Sequence, residues 1–418
     1  MRDPPPIRRP LRVLLSEGGS TSAREAITVL GLAGHHVEIC DPSPFCLGRF
    51  SRFVTKFHRC PGIGADPAGY LAFIERLLRE HRFDVVLPIH EQGLLFAKVQ
   101  GRMARRAGIA LPEFANYRIA LDKVRFSRLL DELGLPQPRT RIVDSAQALR
   151  DAVEFPCVVK SAIGTASRGV WLLRDATGLN EAVRELTDAD AFAEEVLVQE
   201  FVEGAVEHAQ AVLAHGQLLG LHGYRQIAAG AGGGDAIKQS VQRADVRAHI
   251  AAIGARLCWH GGLSFDYIQP DDGAPPLYID CNPRLVEPMS ATLAGIDLMD
   301  LLLRVSLRET ELVAADGRAG VRSHLAMQAL LGCALRGGSR RALLQECFSL
   351  TSRRGPYAGS VEELTPARLD WISAVPLIVT AAMLLAAPRV APRLARKGWG
   401  DHLLSPRSIR TIEQDDFG

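Results

Sequence analysis

Residues 277–284, with the sequence LYIDCNPR, place a carboxylate, an amide and a guanidinium within a few positions of one another. The apolar residues at the start predict a buried strand, and alternate side chains of a strand share a face, so Asp280 and Asn282 should point the same way. Their oxygen atoms suit Mg²⁺, which binds carboxylates together with substrate phosphates. Arg284 could hold a phosphoryl or acyl-phosphate oxygen with its planar guanidinium. The same residues could equally form a strand that leaves its sheet through an Asn-Pro turn.

An earlier apolar run ends at Lys160 and is followed by a loop of small residues, 161–169, and then by a second apolar run. A lysine at a strand end beside such a loop is typical of phosphate sites, because the amides can approach the oxygens and the ammonium neutralises their charge. A β-hairpin with an exposed lysine is the alternative. The candidate loop residues are Ser161, Gly164, Ser167 and Gly169.

A third feature is a strand that runs into a turn at residues 196–204. Glu200 and the backbone groups of Phe201 and Val202 lie at this junction and could read the edge of an adenine ring. Glu207 follows closely and is expected to bind ribose hydroxyls.

Asp266 lies in the apolar run 263–268, 14 residues before Asp280. That spacing is expected for neighbouring strands of a hairpin that turns at residues 271–273. Asp266, Asp280 and Asn282 would then supply three oxygen ligands from adjacent strands, which predicts a site for one or two Mg²⁺ ions.

The surrounding sequence predicts an α/β and α+β protein in several parts. Residues 11–115 alternate short strands and helices, as in a doubly wound α/β domain. The Gly18-Gly19 turn in this domain could cradle an anion, or it could be a tight turn whose Ser or Thr caps a helix. A strand-rich module follows at 116–310, with a small lid subdomain at about 120–200 and a central subdomain at 201–310. Residues 1–10 form a loose tail, and 311–418 a mostly helical extension.

The order of these motifs resembles the ATP-grasp superfamily, and within it the carboxylate–amine ligases and the carbamoyl-phosphate-synthase-like ATP-binding proteins. The resemblance covers roughly residues 11–305, and residues 20–23 and 87–91 resemble the domain that precedes the ATP-grasp module. It is carried by Asp122-Lys123, Lys160 with its loop, residues 199–204, Asp266, and residues 280–284.

The resemblance implies a role for each matching residue. Lys123 and Lys160 would contact the nucleotide phosphates, and Arg284 would contact the transferred phosphoryl group. Lys238 and Arg225 fall where contacts to substrate or γ-phosphate are common. One departure concerns Asp280, because the family usually has a glutamate there, so the metal or the strand must shift or water must intervene. The resemblance further places Glu200, Phe201 and Val202 at adenine, Glu207 at ribose, and Asp266, Asp280 and Asn282 at Mg²⁺.

The implied reaction is an ATP-dependent ligation. A small-molecule carboxylate becomes an acyl phosphate and is coupled to an amine, with release of ADP and phosphate. Glu91 and Glu287 are the candidate substrate residues, although each could instead serve a helix terminus or a surface turn. One alternative is carboxyl-phosphate chemistry on bicarbonate. Another is a nucleotide-binding, membrane-associated protein without catalytic activity.

Bulk composition adds limits. The 418 residues carry a formal charge of +2, which gives no global polycation for nucleic acid. The eight cysteines form no CxxC pair and no secretory signal is apparent, which favours a cytoplasmic location. Residues 371–388 hold no charged side chain. This segment could be a core helix, a homodimer contact, a membrane-surface contact or a short membrane span.

Overall fold

The computed structural model describes residues 9–164, 169–271, 273–397 and 403–417, and it begins with a parallel α/β domain. Four parallel strands lie in the order β3-β2-β1-β4. The strand β3 was not predicted, because it is a half-exposed edge strand whose polar residues hide the apolar signal. Its elements are β1 (Arg12–Leu15), α1 (Thr21–Leu32), β2 (His36–Asp41), β3 (Val54–Arg59), α2 (Pro67–Glu80), β4 (Val85–Leu87), α3 (Gln92–Lys98) and α4 (Gln100–Ala104).

The lid subdomain has a four-stranded antiparallel sheet in the order β5-β8-β6-β7. The predicted hairpin around Lys160 is confirmed by the pairing of β6 with β7. A helix follows Asp122, whose carboxylate caps it by accepting hydrogen bonds from the amides of Val124 and Arg125. Its elements are α5 (Phe114–Leu121), α6 (Lys123–Glu132), β5 (Thr140–Val143), α7 (Ala146–Ala152), β6 (Cys157–Ser161), β7 (Val170–Leu173), α8 (Ala176–Asp188) and β8 (Val196–Glu200).

The central subdomain is built on an eight-stranded sheet in the order β13-β12-β9-β10-β11-β15-β16, with β14 paired to β10. Its long strands are buried on both faces over much of their length, because helices and the N-terminal domain cover them. Before the C-terminal segment its elements are β9 (Ala205–Ala214), β10 (Gln217–Ala229), β11 (Asp235–Val241), α9 (Ala244–Arg256), β12 (Gly261–Gln269), β13 (Leu277–Asn282), α10 (Pro288–Leu293) and α11 (Leu298–Ser306).

The C-terminal segment is mostly helical, as expected, but it is not a separate appendage. Three of its strands complete the central sheet, so the expected boundary at residue 310 cuts through that sheet. The segment also reaches the first domain, since Arg24 of α1 forms an ion pair of 2.8 Å with Asp370 and both side chains are fully buried. Its elements are β14 (Ala315–Asp316), β15 (Arg322–His324), α12 (Ala326–Leu335), α13 (Arg340–Ser352), β16 (Val361–Glu362), α14 (Ala374–Ala386), α15 (Ala391–Lys397) and α16 (Pro406–Gln414).

The uncharged segment 371–388 forms a short 3₁₀ turn and then α14. Within the described ranges, no helix combines the length and the apolar character that crossing a membrane requires. Leu384 is buried in the C-terminal core, whereas Trp371 is 70% exposed and Ile378 is 63% exposed. The segment therefore docks on the protein by one side and leaves apolar side chains at the surface.

Two hydrophobic clusters join the domains. One contains Tyr70 and Phe96 of the N-terminal domain together with Trp259 and Phe265 of the central subdomain. The other joins β1 and α1 to α10 and α11. The N-terminal domain is therefore packed directly on the central subdomain, and α1 lies against the helix that follows the 280–284 motif.

Candidate active site

The β12–β13 hairpin brings the predicted metal ligands together. Asp266 lies directly opposite Asp280 in the antiparallel pair, and Ser264 lies opposite Asn282. Since alternate residues share a face, Asp266, Asp280 and Asn282 lie on the same side of the sheet. Two carboxylates and an amide are hard oxygen donors that fit Mg²⁺. Within the described residues, no group of three His, Cys, Asp or Glu side chains could hold a metal, so Asn282 or substrate oxygens must complete the ligand set.

Each of the two aspartates is paired with a cationic side chain of the protein. Lys123 Nζ lies 2.9 Å from Asp280 Oδ1 and also donates to the Gly164 carbonyl at 3.0 Å. His208 Nδ1 lies 2.7 Å from Asp266 Oδ1. Burial alone would lower the pKa of His208, but Asp235 and Asp266 outweigh it and raise the pKa to about 9. Binding of Mg²⁺ to these carboxylates must therefore compete with two existing charge pairs.

Lys160 reaches from strand β6 of the lid to strand β13. Its ammonium donates to the Ile279 carbonyl at 2.7 Å. Burial lowers the pKa of Lys160 to about 8, against the opposing effect of Asp280. Lys123 and Lys160 thus converge on the Asp280 strand from the lid, which is where two phosphate-neutralising lysines are expected.

The small loop after Lys160 closes on itself at its two ends. The Ser161 amide donates to the Gly169 carbonyl at 2.9 Å. Gly169 has a φ of 75°, a conformation that a side chain would strain. Gly164 contributes its carbonyl to Lys123, and Ser167 lies outside the described residues. Phosphate contacts by this loop stay a prediction.

The predicted adenine segment begins where β8 ends, at Glu200. The Glu200 carboxylate accepts a hydrogen bond of 2.9 Å from the Arg139 amide, and the Glu200 amide donates to the Arg139 carbonyl. The chain then leaves the sheet at Phe201 and Val202, whose backbone groups follow the last ladder pair. Adenine recognition at this junction stays a prediction.

Glu207 and Arg225 lie apart from the other predicted site residues. The two residues lie opposite each other on β9 and β10, on the face of the sheet that points away from Asp266. Glu207 is fully buried there and accepts hydrogen bonds from Arg225, Arg243 and Tyr267. These donors outweigh burial and hold the pKa of Glu207 below its usual range. Because protein donors already occupy Glu207, a ribose would have to replace them, and the ribose and substrate roles of Glu207 and Arg225 stay predictions.

His208, the next residue after Glu207, is the one that the strand turns toward the site. The sequence does not indicate His208, because β9 has buried residues on both faces and no alternation of polar and apolar residues marks the inner face. The signal that could have found it is the strand periodicity itself. Adjacent residues point to opposite faces, so only one of Glu207 and His208 can face Asp266.

Lys238 and Glu287 lie together, farther along the same face. The Lys238 ammonium forms ion pairs with Glu287 and, at 2.7 Å, with Glu363. Both pairs must open before Lys238 could contact a γ-phosphate, so its catalytic role stays a prediction. Glu287 has a left-handed backbone with φ of 56° that turns its carboxylate toward Lys238.

Arg284 and Glu91 are both buried near the interface between the domains. Arg284 is held through its backbone, since its amide donates to the Asn282 carbonyl at 2.7 Å and its carbonyl accepts from Ser264 Oγ at 2.8 Å. Its positive charge helps to lower the pKa of Asp266, together with the larger effect of His208. The Glu91 carboxylate accepts a hydrogen bond from the Leu404 amide of the C-terminal segment.

The Gly18-Gly19 turn is not an anion cradle. The Gly18 amide donates to Asp41 at 3.1 Å and the Gly19 amide donates to Glu17 at 2.6 Å, so protein carboxylates already occupy both amides. Ser20 Oγ accepts from the Ala23 amide and caps α1. The alternative reading, a tight turn with a serine cap, is confirmed.

The sheet topology, the lid and the paired aspartates indicate which class of protein this chain resembles. The family model of the RimK-like ATP-grasp domain matches residues 120–220. Residues 120–220 therefore resemble an ATP-grasp domain, and solved structures of ATP-grasp enzymes share the mixed α/β fold of this chain.

Individual known proteins are similar to parts of this chain. The D-alanine--D-alanine ligase of Stutzerimonas stutzeri is 36% identical over 104 residues, which cover 24% of this chain and 32% of that protein. The crystal structure of L-amino acid ligase from Bacillus licheniformis superposes with a TM-score of 0.56 at 18% identity and covers 72% of this chain and 75% of that one.

A third similar protein is the biotin carboxylase domain of the Hydrogenobacter thermophilus 2-oxoglutarate carboxylase, solved with MgADP and bicarbonate. It has a TM-score of 0.57 at 16% identity, over 74% of this chain and 73% of that one. The chain spans less than a third of the length of the curated relatives that it matches.

Proposed function

We propose that the protein is an ATP-dependent ligase that activates a small-molecule carboxylate as an acyl phosphate and couples it to an amine. The observation that carries the proposal is the convergence of Lys123 and Lys160 on the strand of Asp280, directly opposite Asp266. Two lysines from the ATP-grasp-like residues 120–220 and two candidate metal-binding carboxylates thus lie close together. Charge neutralisation of this kind is what phosphoryl transfer requires.

The proposed reaction has two steps. A carboxylate oxygen of the substrate attacks the γ-phosphorus of ATP, and ADP leaves with the electrons of the broken P–O bond. The amine then attacks the acyl carbon, loses a proton, and expels inorganic phosphate. Lys123 and Lys160 would hold phosphate oxygens, and Arg284 would hold the acyl phosphate. Mg²⁺ bound by Asp266, Asp280 and Asn282 would offset the charge of the phosphates.

Two alternatives belong to the same proposal as outcomes of its test. Bicarbonate could replace the organic carboxylate, as the likeness to a biotin carboxylase fold suggests. The chain could also bind nucleotide without catalysis, since Asp280 is shorter than the glutamate usual in the family.

The expected partners are a small carboxylate and a small amine. Contact of residues 371–388 with a membrane surface or with a second copy of the chain stays a prediction. The exposed apolar side chains of Trp371 and Ile378 are the feature that supports it.

Release of ADP from Mg-ATP tests the proposal, with a panel of amino acids, amines and bicarbonate as co-substrates. We expect release that depends on a carboxylate and an amine together and that is lost in Lys160→Ala and in Asp280→Ala. Lys56→Ala, which alters an exposed lysine of strand β3, is the matched control and should keep full activity. Bicarbonate-dependent release alone would select the first alternative, and tight ATP binding without any release would select the second.

A further inference from the structure

One face of the central sheet concentrates buried polar atoms that have no protein partner. On β10, neither ring nitrogen of His222 has a hydrogen-bond partner among the described residues, and the side chain is 2% exposed. On β9, Gln210 Oε1 has none. From α1, the fully buried Glu25 uses one carboxylate oxygen to accept from the Met289 amide at 3.1 Å, and its Oε1 is unpartnered.

These atoms face the same region. His222 lies opposite Gln210 in the β9–β10 pair, and both residues are on the face that carries His208 and Asp266. Burial of a polar group without a partner costs about 1–3 kcal/mol by protein mutational data. Several such groups in one place therefore indicate a surface that a ligand satisfies.

The charge of this region has a definite sign. Three buried carboxylates, those of Glu25, Glu287 and Glu363, surround the single ammonium of Lys238. Burial raises the pKa of Glu25 well above its usual range, and the nearby Glu363 carboxylate raises it further. Burial raises the pKa of Glu363 as well. Carboxyl groups crowded in this way repel one another when ionised, and an added cation would relieve that repulsion.

Its position connects it to the candidate metal site. The Lys238 ammonium lies 4.8 Å from the centre of the Tyr224 ring. The same ring stacks on His208 at 4.9 Å, and His208 in turn binds Asp266. One aromatic ring therefore separates the acidic cluster from the carboxylate that would hold Mg²⁺.

The N-terminal domain, the central subdomain and the C-terminal segment all contribute to this cluster. Glu25 comes from the N-terminal domain, Lys238 from the central sheet, Glu287 from the turn after the 280–284 motif, and Glu363 from the C-terminal segment. Purely structural ion pairs do not explain the partnerless oxygen of Glu25 or the partnerless ring of His222.

We propose that Glu25, Glu287 and Glu363 form a subsite for the cationic amino group of a substrate, with His222 and Gln210 as acceptors at its edge. A primary ammonium supplies three donors and a positive charge. An anionic group would be repelled. The inference rests on the proposed function, in which both the attacking amine and an amino acid that donates its carboxylate could bring such an ammonium.

Direct binding to the full-length protein tests the subsite without turnover. Isothermal calorimetry would compare the twenty amino acids with two matched sets, their N-acetyl derivatives and the amines that decarboxylation leaves. We expect at least one amino acid or amine to bind, and its N-acetyl counterpart to bind at least about tenfold more weakly. Binding of the decarboxylated amine would assign the subsite to the attacking amine, whereas a requirement for the carboxylate would assign it to the activated amino acid.

Glu25→Gln and Glu363→Gln should each weaken that binding about tenfold or more, because each removes a carboxyl group that a bound cation would ionise and keeps the shape. Glu38→Gln is the matched control, since Glu38 is a buried carboxylate of strand β2 that pairs with Arg12 and His58, away from the cluster. The wild-type comparison of free and acetylated amines stands even if a variant does not fold.

The subsite is refuted if no free amine binds, if acetylated and free amines bind equally, or if both glutamine variants keep wild-type affinity. Those outcomes are separable from failure of the proposed function. Amine binding that depends on Glu25 with no ADP release would reject the ligase and keep the subsite. ADP release that is unchanged in both variants would do the reverse.

Discussion

The buried Arg24–Asp370 pair should decide whether the C-terminal segment stays docked on the first domain. Arg24 Nη2 lies 2.8 Å from Asp370 Oδ2, and the carboxylate also accepts from Ser51 Oγ and from the Arg52 amide. At an effective dielectric constant of about 20, this separation gives a gross attraction of about 6 kcal/mol. Desolvation of the two ions offsets most of that attraction, at several kcal/mol per ion.

Removal of one partner leaves the desolvation cost without the attraction. Asp370→Ala should therefore lower the free energy of local unfolding by about 3–5 kcal/mol. Hydrogen exchange of residues 371–388, measured by mass spectrometry, reports this local opening. A loss of 3 kcal/mol corresponds to exchange faster by more than about a hundredfold. Glu154→Ala, which removes an exposed partner of Arg139 and Arg141, is the control. It should change the free energy of local unfolding, measured by exchange, by less than about 0.5 kcal/mol.

A double-mutant cycle of Arg24→Met and Asp370→Asn isolates the pair. Because the two charges stabilise each other, the double variant should lose about 2 kcal/mol less unfolding free energy than the two single variants lose in sum. Additive effects within about 0.5 kcal/mol would refute the argument, since they would mean that the two side chains act independently.

Three further predictions follow from the site. The pKa of Lys160 is lowered to about 8, so its ammonium loses a proton as pH rises from 7 to 9, and ATP affinity should fall by up to about tenfold. In titrations of ATP affinity against pH, Lys160→Arg should remove this fall. If the variant and the wild type show the same pH dependence, Lys160 does not contact phosphate. Asp280→Asn should raise the Mg²⁺ concentration for half-maximal ATP binding about tenfold or more, and no change would remove Asp280 from the ligand set. Glu207→Gln should lower the free energy of unfolding in urea by about 1–3 kcal/mol, because it weakens the hydrogen bonds from Arg225 and Arg243. The KM for ATP should not change, since these residues lie on the sheet face away from Asp266. A large rise in KM would support the ribose role.

Local signals predicted much of the fold and one part of the site. The β12–β13 hairpin, the Lys160 hairpin and the helix after Asp122 all follow from short-range patterns of apolar residues, turns and caps. The pairing of Asp266 with Asp280 followed from their spacing alone.

The remaining features depend on information that a local pattern does not hold. Which of Glu207 and His208 faces inward depends on burial of both faces of β9. The ion pair of Glu363 with Lys238 and the electrostatic interaction of Glu25 with Lys238 join residues far apart in sequence, and no periodicity in the chain marks them. The strand β3 was not predicted, because an edge strand needs few apolar residues.

The shared sheet has a consequence for anyone who would cut or recombine this protein. The C-terminal segment supplies β15 and β16 to the central sheet, and it supplies Glu363 to Lys238 and Asp370 to Arg24. Deletion after residue 310 would therefore expose a sheet edge, leave the buried Arg24 without its counter-ion, and leave Lys238 paired with Glu287 alone. A graft of this segment from a relative would have to bring a compatible α1 with it, so the first and last portions of the chain form one inseparable unit of exchange.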